Sequence, residues 1–337
     1  MGGAWHTGAL HAICQETGWD PGSADIVVGT SAGAMIGSLC AAGVPPWFMV
    51  AHSGGEVFEG FLDAQGNPAS EADRSAGAIF RAGRLPVLLP GSPRLAFGSL
   101  VRPGARSWQA RLAGWAPRGI ISTEPLKQVV RRAVPSGWAD HENLWVVACD
   151  YRTGERVVFG REGSPPADLA DAVAASCAIP GFYQPVRIGA ALHVDGGLHS
   201  ASNLDLVAGR DLDLVICLNP LSAKADRQSS WPHRRALGAM RTAAHGRLER
   251  LAKRLRRAGS LVVLLEPTPE DLAVMGNNFM SRRRRHEVIV TATRTVATQL
   301  RRQRASLAGL PPGEPSKLAR PAGSPADWPS FTRAGVT

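Results

Sequence analysis

Apolar residues follow two patterns along this chain. Short continuous runs at Asp25–Val28, Trp145–Cys149, Leu214–Leu218 and Leu261–Leu265 read as buried strands. Between them, apolar residues recur at helical spacing. His6–Thr17 reads as a helix with Trp5, Ala9, Leu10 and Ile13 on one face, and a small-residue helix runs from Ser31 to a stop at Gly43, before Pro45-Pro46. Ser122-Thr123-Glu124-Pro125 opens another, with a cap residue, an early acid and a first-turn proline. Asp168–Cys177, the long basic amphipathic stretch Arg234–Arg257, and Arg282–Leu307 complete the helices. Glu155–Phe159 forms a strand after the turn Arg152-Thr153-Gly154. Gln184–Ile188 and Ala191–Val194 read as a hairpin that delivers the chain to Asp195-Gly196-Gly197.

Strands alternating with helices predict an α/β fold with a largely parallel sheet flanked by helices on both faces. The pattern dissolves over His52–Arg118. A Pro-rich tail over 311–337 is expected to be disordered, which leaves 1–310 as the folded domain.

One stretch carries candidate chemistry, D-I-V-V-G-T-S-A-G-A-M-I-G at Asp25–Gly37. A serine between glycines, where a strand becomes a helix, has the form and context of a nucleophile elbow. Ser31 is the candidate nucleophile, Gly29 and Gly33 leave room for the tight turn, and the Ala32 N–H is a candidate oxyanion donor. The plain alternative is a small-residue turn without chemistry.

Composition narrows the setting. The 337 residues are 44% hydrophobic and 20% charged, as in a globular protein. Cys14, Cys40, Cys149, Cys177 and Cys217 are scattered singly, without the spacing of metal ligands or a disulfide framework, and read as buried free thiols. No metal site is predicted. The net charge of +10 rests on arginine, with lysine only at 127, 224, 253 and 317. Codon bias explains this as readily as attraction to an anionic lipid surface. The start lacks the charged and apolar regions of a signal peptide, and no run approaches the roughly 20 apolar residues of a membrane span. A cytoplasmic location is expected, with peripheral membrane contact as an option.

A Ser-Asp-His triad of the α/β-hydrolase type fits poorly. Only about thirty residues precede Ser31, and of the histidines after Asp195, namely His199, His233, His245 and His286, the last three lie in or at the start of basic helices. His193 lies on a strand, two residues before Asp195. Asp195 is a better partner. It ends a strand, precedes two glycines, and would meet Ser31 over the carboxyl edge of the sheet, where its carboxylate could take the serine proton directly. Its plain alternative is a turn acid before Gly196-Gly197.

At this point the sequence resembles the patatin-like phospholipases. The resemblance runs through G-A-W-H-T-G-A-L-H-A, D-I-V-V-G-T-S-A-G-A, A-S-C-A-I-P-G-F and V-D-G-G-L in order, from Gly3 to Val207. It implies a lipid acyl hydrolase of phospholipase A or esterase type, with Ser31 as nucleophile, Asp195 as base and an acyl-enzyme intermediate. It implies a phospholipid or other acyl-ester substrate and no cofactor. The family's glycine-rich loop supplies oxyanion donors after a first strand. Aligned on G-A-W-H-T-G-A-L, this chain starts near the end of that loop, with Gly2 and Gly3 as its remaining glycines. Either in-frame sequence upstream encodes the strand and the rest of the loop, or the chain is a weak catalyst that binds anionic lipid surfaces.

Two further segments have a functional and an ordinary reading. Ser75–Gly91 could line an acyl pocket or be a packed helix and loop. The run Arg282–Arg285 could meet an anionic partner or be a solvated face. No nucleic-acid partner is expected, because no aromatic-interleaved basic motif accompanies it.

Overall fold

A computed structural model describes residues 1–53, 90–96, 113–224, 232–276, 284–308 and 310. The tail over 311–337 and nearly all of Ser75–Gly91 lie outside the described residues, as do Arg282 and Arg283. In chain order the elements are α1 (Gly2–Thr17), β1 (Val27–Thr30), α2 (Ala32–Ala41), α3 (Pro46–Ser53), α4 (Glu124–Ala133), β2 (Leu144–Asp150), β3 (Arg156–Phe159) and α5 (Leu169–Ser176). They continue with β4 (Val186–Ile188), β5 (Ala191–Asp195), β6 (Leu214–Leu218), α6 (Pro232–Arg257), β7 (Leu261–Leu265), α7 (Pro269–Met275), α8 (Arg285–Arg302) and α9 (Arg304–Leu307).

The expected 1–310 domain divides into two compact units. The described residues of Gly22–Pro45 and Gly55–Ser200 form a sheet unit; those of Met1–Pro21, Pro46–Gly54 and Ala201–Arg320 form a helical unit.

The sheet unit is built on β2, whose residues from Leu144 to Cys149 are almost fully buried. β1 pairs with it in parallel, from Val27 opposite Leu144 to Thr30 opposite Val147. The other pairings are antiparallel: β3 against β2, β5 against β2, and β4 against β5. The five-stranded sheet is therefore mixed, which corrects the largely parallel expectation. Short connections explain the difference. The tight turns after Asp150 and Ile188 return the chain alongside the strand it has just left, and only a longer crossover yields a parallel neighbour.

In the helical unit, β6 and β7 form a parallel pair joined through α6. Trp5, Ala9 and Ile13 of α1 are fully buried in one core with Ile289, Ala292 and Val296 of α8. Aligned burial at this spacing drives the helix, and it extends back to Gly2, with the Trp5 N–H bonded to the Met1 carbonyl at 3.1 Å. Gly2 and Gly3 thus lie in a first helical turn rather than in a loop. Their carbonyls accept from His6 Nδ1 and Thr7 Oγ1 at 3.0 Å each. Among the described residues, no helix is long and apolar enough to cross a membrane.

Candidate active site

The register of β2 explains why a serine and an aspartate meet. β3 occupies one edge of β2 opposite Val146 to Cys149, so β1 and β5 must share the other edge. They approach along it from opposite directions. β1 ends with Thr30 opposite Val147, and β5 ends with Asp195 opposite Ala148. The next residue of β1 would be Ser31, and its place opposite Ala148 is taken by Asp195. Ser31 must leave the sheet at the point where the carboxylate arrives.

It does so through a strained turn, with φ of 52° and ψ of −124° at Ser31. A non-glycine residue at such a φ costs on the order of 1–3 kcal/mol and persists only where its surroundings enforce it. Gly29 is part of that enforcement. A Cβ built there would lie 2.4 Å from the Cα of Ala34, so only glycine lets α2 fold back this closely. The turn is fastened beyond the serine as well, where the Ser31 carbonyl accepts from the N–H groups of Ala34 and Met35 at 2.9 and 3.2 Å. Ala32 and Gly33 open α2, so neither N–H has a helical carbonyl to pair with. The Ala32 N–H therefore remains a suitable donor to developing negative charge at this positive helix end.

Asp195 is held with equal care. Its backbone N–H donates to the Ala178 carbonyl at 3.0 Å, and its Oδ1 accepts from the Gly197 N–H at 2.7 Å. Gly196 passes so near β2 that a Cβ would sit 2.3 Å from the Val147 carbonyl oxygen. The Ser31 hydroxyl lies within reach of the Asp195 carboxylate and favours its charged form. Burial pushes the Asp195 carboxyl up to about 6, against the downward pull of the hydrogen bonds from Ser31 and Gly197. The result is a carboxylate that is ionised at neutral pH yet more basic than an ordinary one.

Two neighbours escaped the sequence reading. Ser176, at the end of α5, is fully buried and accepts a hydrogen bond from the Ser31 N–H at 2.8 Å. Cys177 follows it, and its thiol lies in hydrogen-bonding contact with Ser31, near the Asp195 charge. Burial and that charge push the thiol well above its usual range, so it is a neutral wall of the site rather than a thiolate. Both residues belong to A-S-C-A-I-P-G-F, but a serine in an alanine-rich helix gives no local sign of what it bonds. His193 is 2% exposed on β5 and packs edge-on against Phe159, with ring centroids 5.2 Å apart. Burial lowers its pKa, countered in part by Asp150.

The structure brings Ser31, Ala32, Gly29, Gly33, Asp195, Gly196 and Gly197 together within the sheet unit. Gly2 and Gly3 belong to the helical unit. The sheet unit thus sets a strained serine, between a strand and a helix, beside a desolvated carboxylate. The profile of the patatin-like phospholipases matches residues 1–208, which contain the whole of this arrangement. The chain belongs to the patatin-like phospholipase family, whose members are generally lipid acyl hydrolases.

Proposed function

We propose that this protein is a lipid acyl hydrolase of phospholipase A or esterase type that works through a Ser31–Asp195 dyad. Asp195 takes the proton of the Ser31 hydroxyl as Oγ bonds to the ester carbonyl carbon. Negative charge on the carbonyl oxygen is met by the Ala32 N–H at the start of α2. The intermediate collapses to an acyl-serine, and the leaving alcohol takes the proton from Asp195. Water then gives a proton to Asp195 and adds to the acyl carbon, and Ser31 recovers its proton as the fatty acid leaves. The observation that carries this reading is the convergence of β1 and β5 on adjacent positions of β2, which sets the Ser31 hydroxyl beside the Asp195 carboxylate.

The test is hydrolysis of p-nitrophenyl esters of short and medium chain length by wild type and four variants. Ser31→Ala and Asp195→Asn abolish release of p-nitrophenol, while His193→Ala and His199→Ala retain it. Equal loss in either histidine variant would replace the dyad with a histidine-based mechanism.

A second reading, adhesion to anionic lipid surfaces, is favoured by α6. Arg247, Arg250, Arg254 and Arg257 recur along its exposed face. Its sole carboxylate, Glu249, is turned to Arg256, 3.5 Å away. Such a face gains about 1 kcal/mol per cation near an anionic membrane.

A further inference from the structure

The ladder between β1 and β2 has an interruption at the elbow. The Val27 N–H donates to the Asn143 carbonyl at 3.0 Å. Continuing that series in steps of two, the Ser31 N–H would donate to the Val147 carbonyl. It does not. The hydroxyl of Ser176 is inserted between them, accepting from the Ser31 N–H at 2.8 Å and donating to the Val147 carbonyl at 2.5 Å. The hydroxyl replaces one ladder bond by two and keeps both backbone groups satisfied while the chain lifts off the sheet.

We propose that Ser176 is a positioning residue that splices the β1–β2 ladder and thereby holds the Ser31 backbone in its elbow conformation. The proposal rests on the dyad reading above. Its physical basis is that one hydroxyl serves both backbone groups at once. Without the hydroxyl, they either stay unpaired in a dry site or close the ladder directly and draw Ser31 back toward the sheet. Either change misdirects Oγ relative to Asp195, whose own anchors at Ala178 and Gly197 are untouched. A serine suits the position because it is the smallest side chain that both accepts and donates. Its place at the end of α5 fixes the hydroxyl by the same helix whose following residues carry the Ala178 carbonyl to Asp195. One short segment thus orients both members of the dyad.

The test is the rate of Ser31 phosphonylation by a fluorophosphonate probe, read beside kcat, KM and thermal midpoint for p-nitrophenyl butyrate hydrolysis. In Ser176→Ala, the labelling rate and kcat fall by about 10–100-fold, the effect of losing one well-placed hydrogen-bonding group in a buried site. KM stays within about twofold. The acid limb of the pH profile stays in place, because Asp195 keeps its environment. Ser176→Thr and Ser176→Val have the same shape and differ in the hydroxyl, so Thr labels at least tenfold faster than Val even where both lose stability. Wild-type labelling in Ser176→Ala, or equal rates in the Thr and Val variants, would overturn the proposal while leaving the dyad intact. A wild-type chain that takes no label at Ser31 would instead overturn the dyad reading, and this proposal with it.

Discussion

Each unit of this chain ends a strand beside a buried carboxylate with a hydrogen-bonded partner. In the sheet unit, Asp195 ends β5 and receives the hydroxyl of Ser31. In the helical unit, Glu266 follows β7 and its Oε2 lies 2.7 Å from Nδ1 of His245 on α6. The pairs are alike in burial and differ in everything that governs reactivity. Glu266 sits in relaxed backbone, tied through its N–H and carbonyl to the Gln299 side chain. Among the described residues Asp195 is served by the neutral donors Ser31 and Gly197, and Ser31 is held at positive φ. A carboxylate paired with a side chain in unstrained backbone is a structural tie. On the proposed reading, one beside a strained hydroxyl is poised to take a proton.

The sharpest way to break this contrast is to remove one partner from each pair. Ser31→Ala should reduce ester hydrolysis by about 10⁴-fold or more, as removal of a nucleophile does elsewhere. His245→Ala should leave kcat/KM within about threefold yet lower stability by roughly 1–3 kcal/mol, because Glu266 loses its partner. Comparable losses of activity in the two variants, measured with one soluble ester, would erase the distinction.

The units should also separate in what they bind. Arg250→Glu, Arg254→Glu and Arg257→Glu together reverse charge on the exposed face of α6 and should weaken binding to anionic vesicles by about 100-fold at low salt. Hydrolysis of a soluble ester should be unchanged. Co-sedimentation with anionic and neutral liposomes checks this, and equal binding of wild type to both would remove the basic face from the account.

A smaller effect concerns pH. Asp195 must be ionised to accept the serine proton, so kcat/KM should rise about tenfold per pH unit below about 6 and level off above it. His193→Ala should keep that limb; its disappearance there would give the base role to histidine.

The smallest effect is on stability. Because burial lifts Asp195, the folded chain holds its proton between pH 3.8 and about 6, where the unfolded chain has released it. Stability therefore falls as pH rises through that window, and the cost persists above it. Asp195→Asn removes the cost, so at neutral pH it should raise the melting temperature by about 2–4 °C, the response to roughly 1 kcal/mol, and give no gain below the window. A lower melting temperature at neutral pH would mean that Asp195 stabilises the fold, contrary to its place in a reactive pair.

Much of this was legible in the sequence, and the omissions have physical causes. The elbow was readable because a strand, a serine between glycines and a helix leave little other geometry. The Asp-Gly-Gly turn was readable because the hairpin before it is short. Sheet direction was not, since the period of a strand says nothing about the direction of its neighbours. Gly43 and the prolines after it mark the end of one helix in the sequence, and Pro46 also opens α3, where its missing N–H costs nothing. α7 was missed although Thr268-Pro269-Glu270-Asp271 announces it. Thr268 accepts from the Asp271 N–H, and the Asp271 side chain answers the Thr268 N–H, a reciprocal cap that the spacing alone could have revealed. Ser176 had no such signal, because its two partners lie 145 and 29 residues away.

Trapping the acyl-enzyme tests the central claim most directly. The chain is mixed with a p-nitrophenyl ester, quenched in acid within the first turnovers, and digested for mass spectrometry. The account predicts one acyl group on the peptide carrying Ser31, accumulating further in Asp195→Asn if any acylation occurs there, because deacylation also needs the carboxylate. Turnover without an adduct on Ser31, or with the acyl group on Cys177 instead, would contradict it.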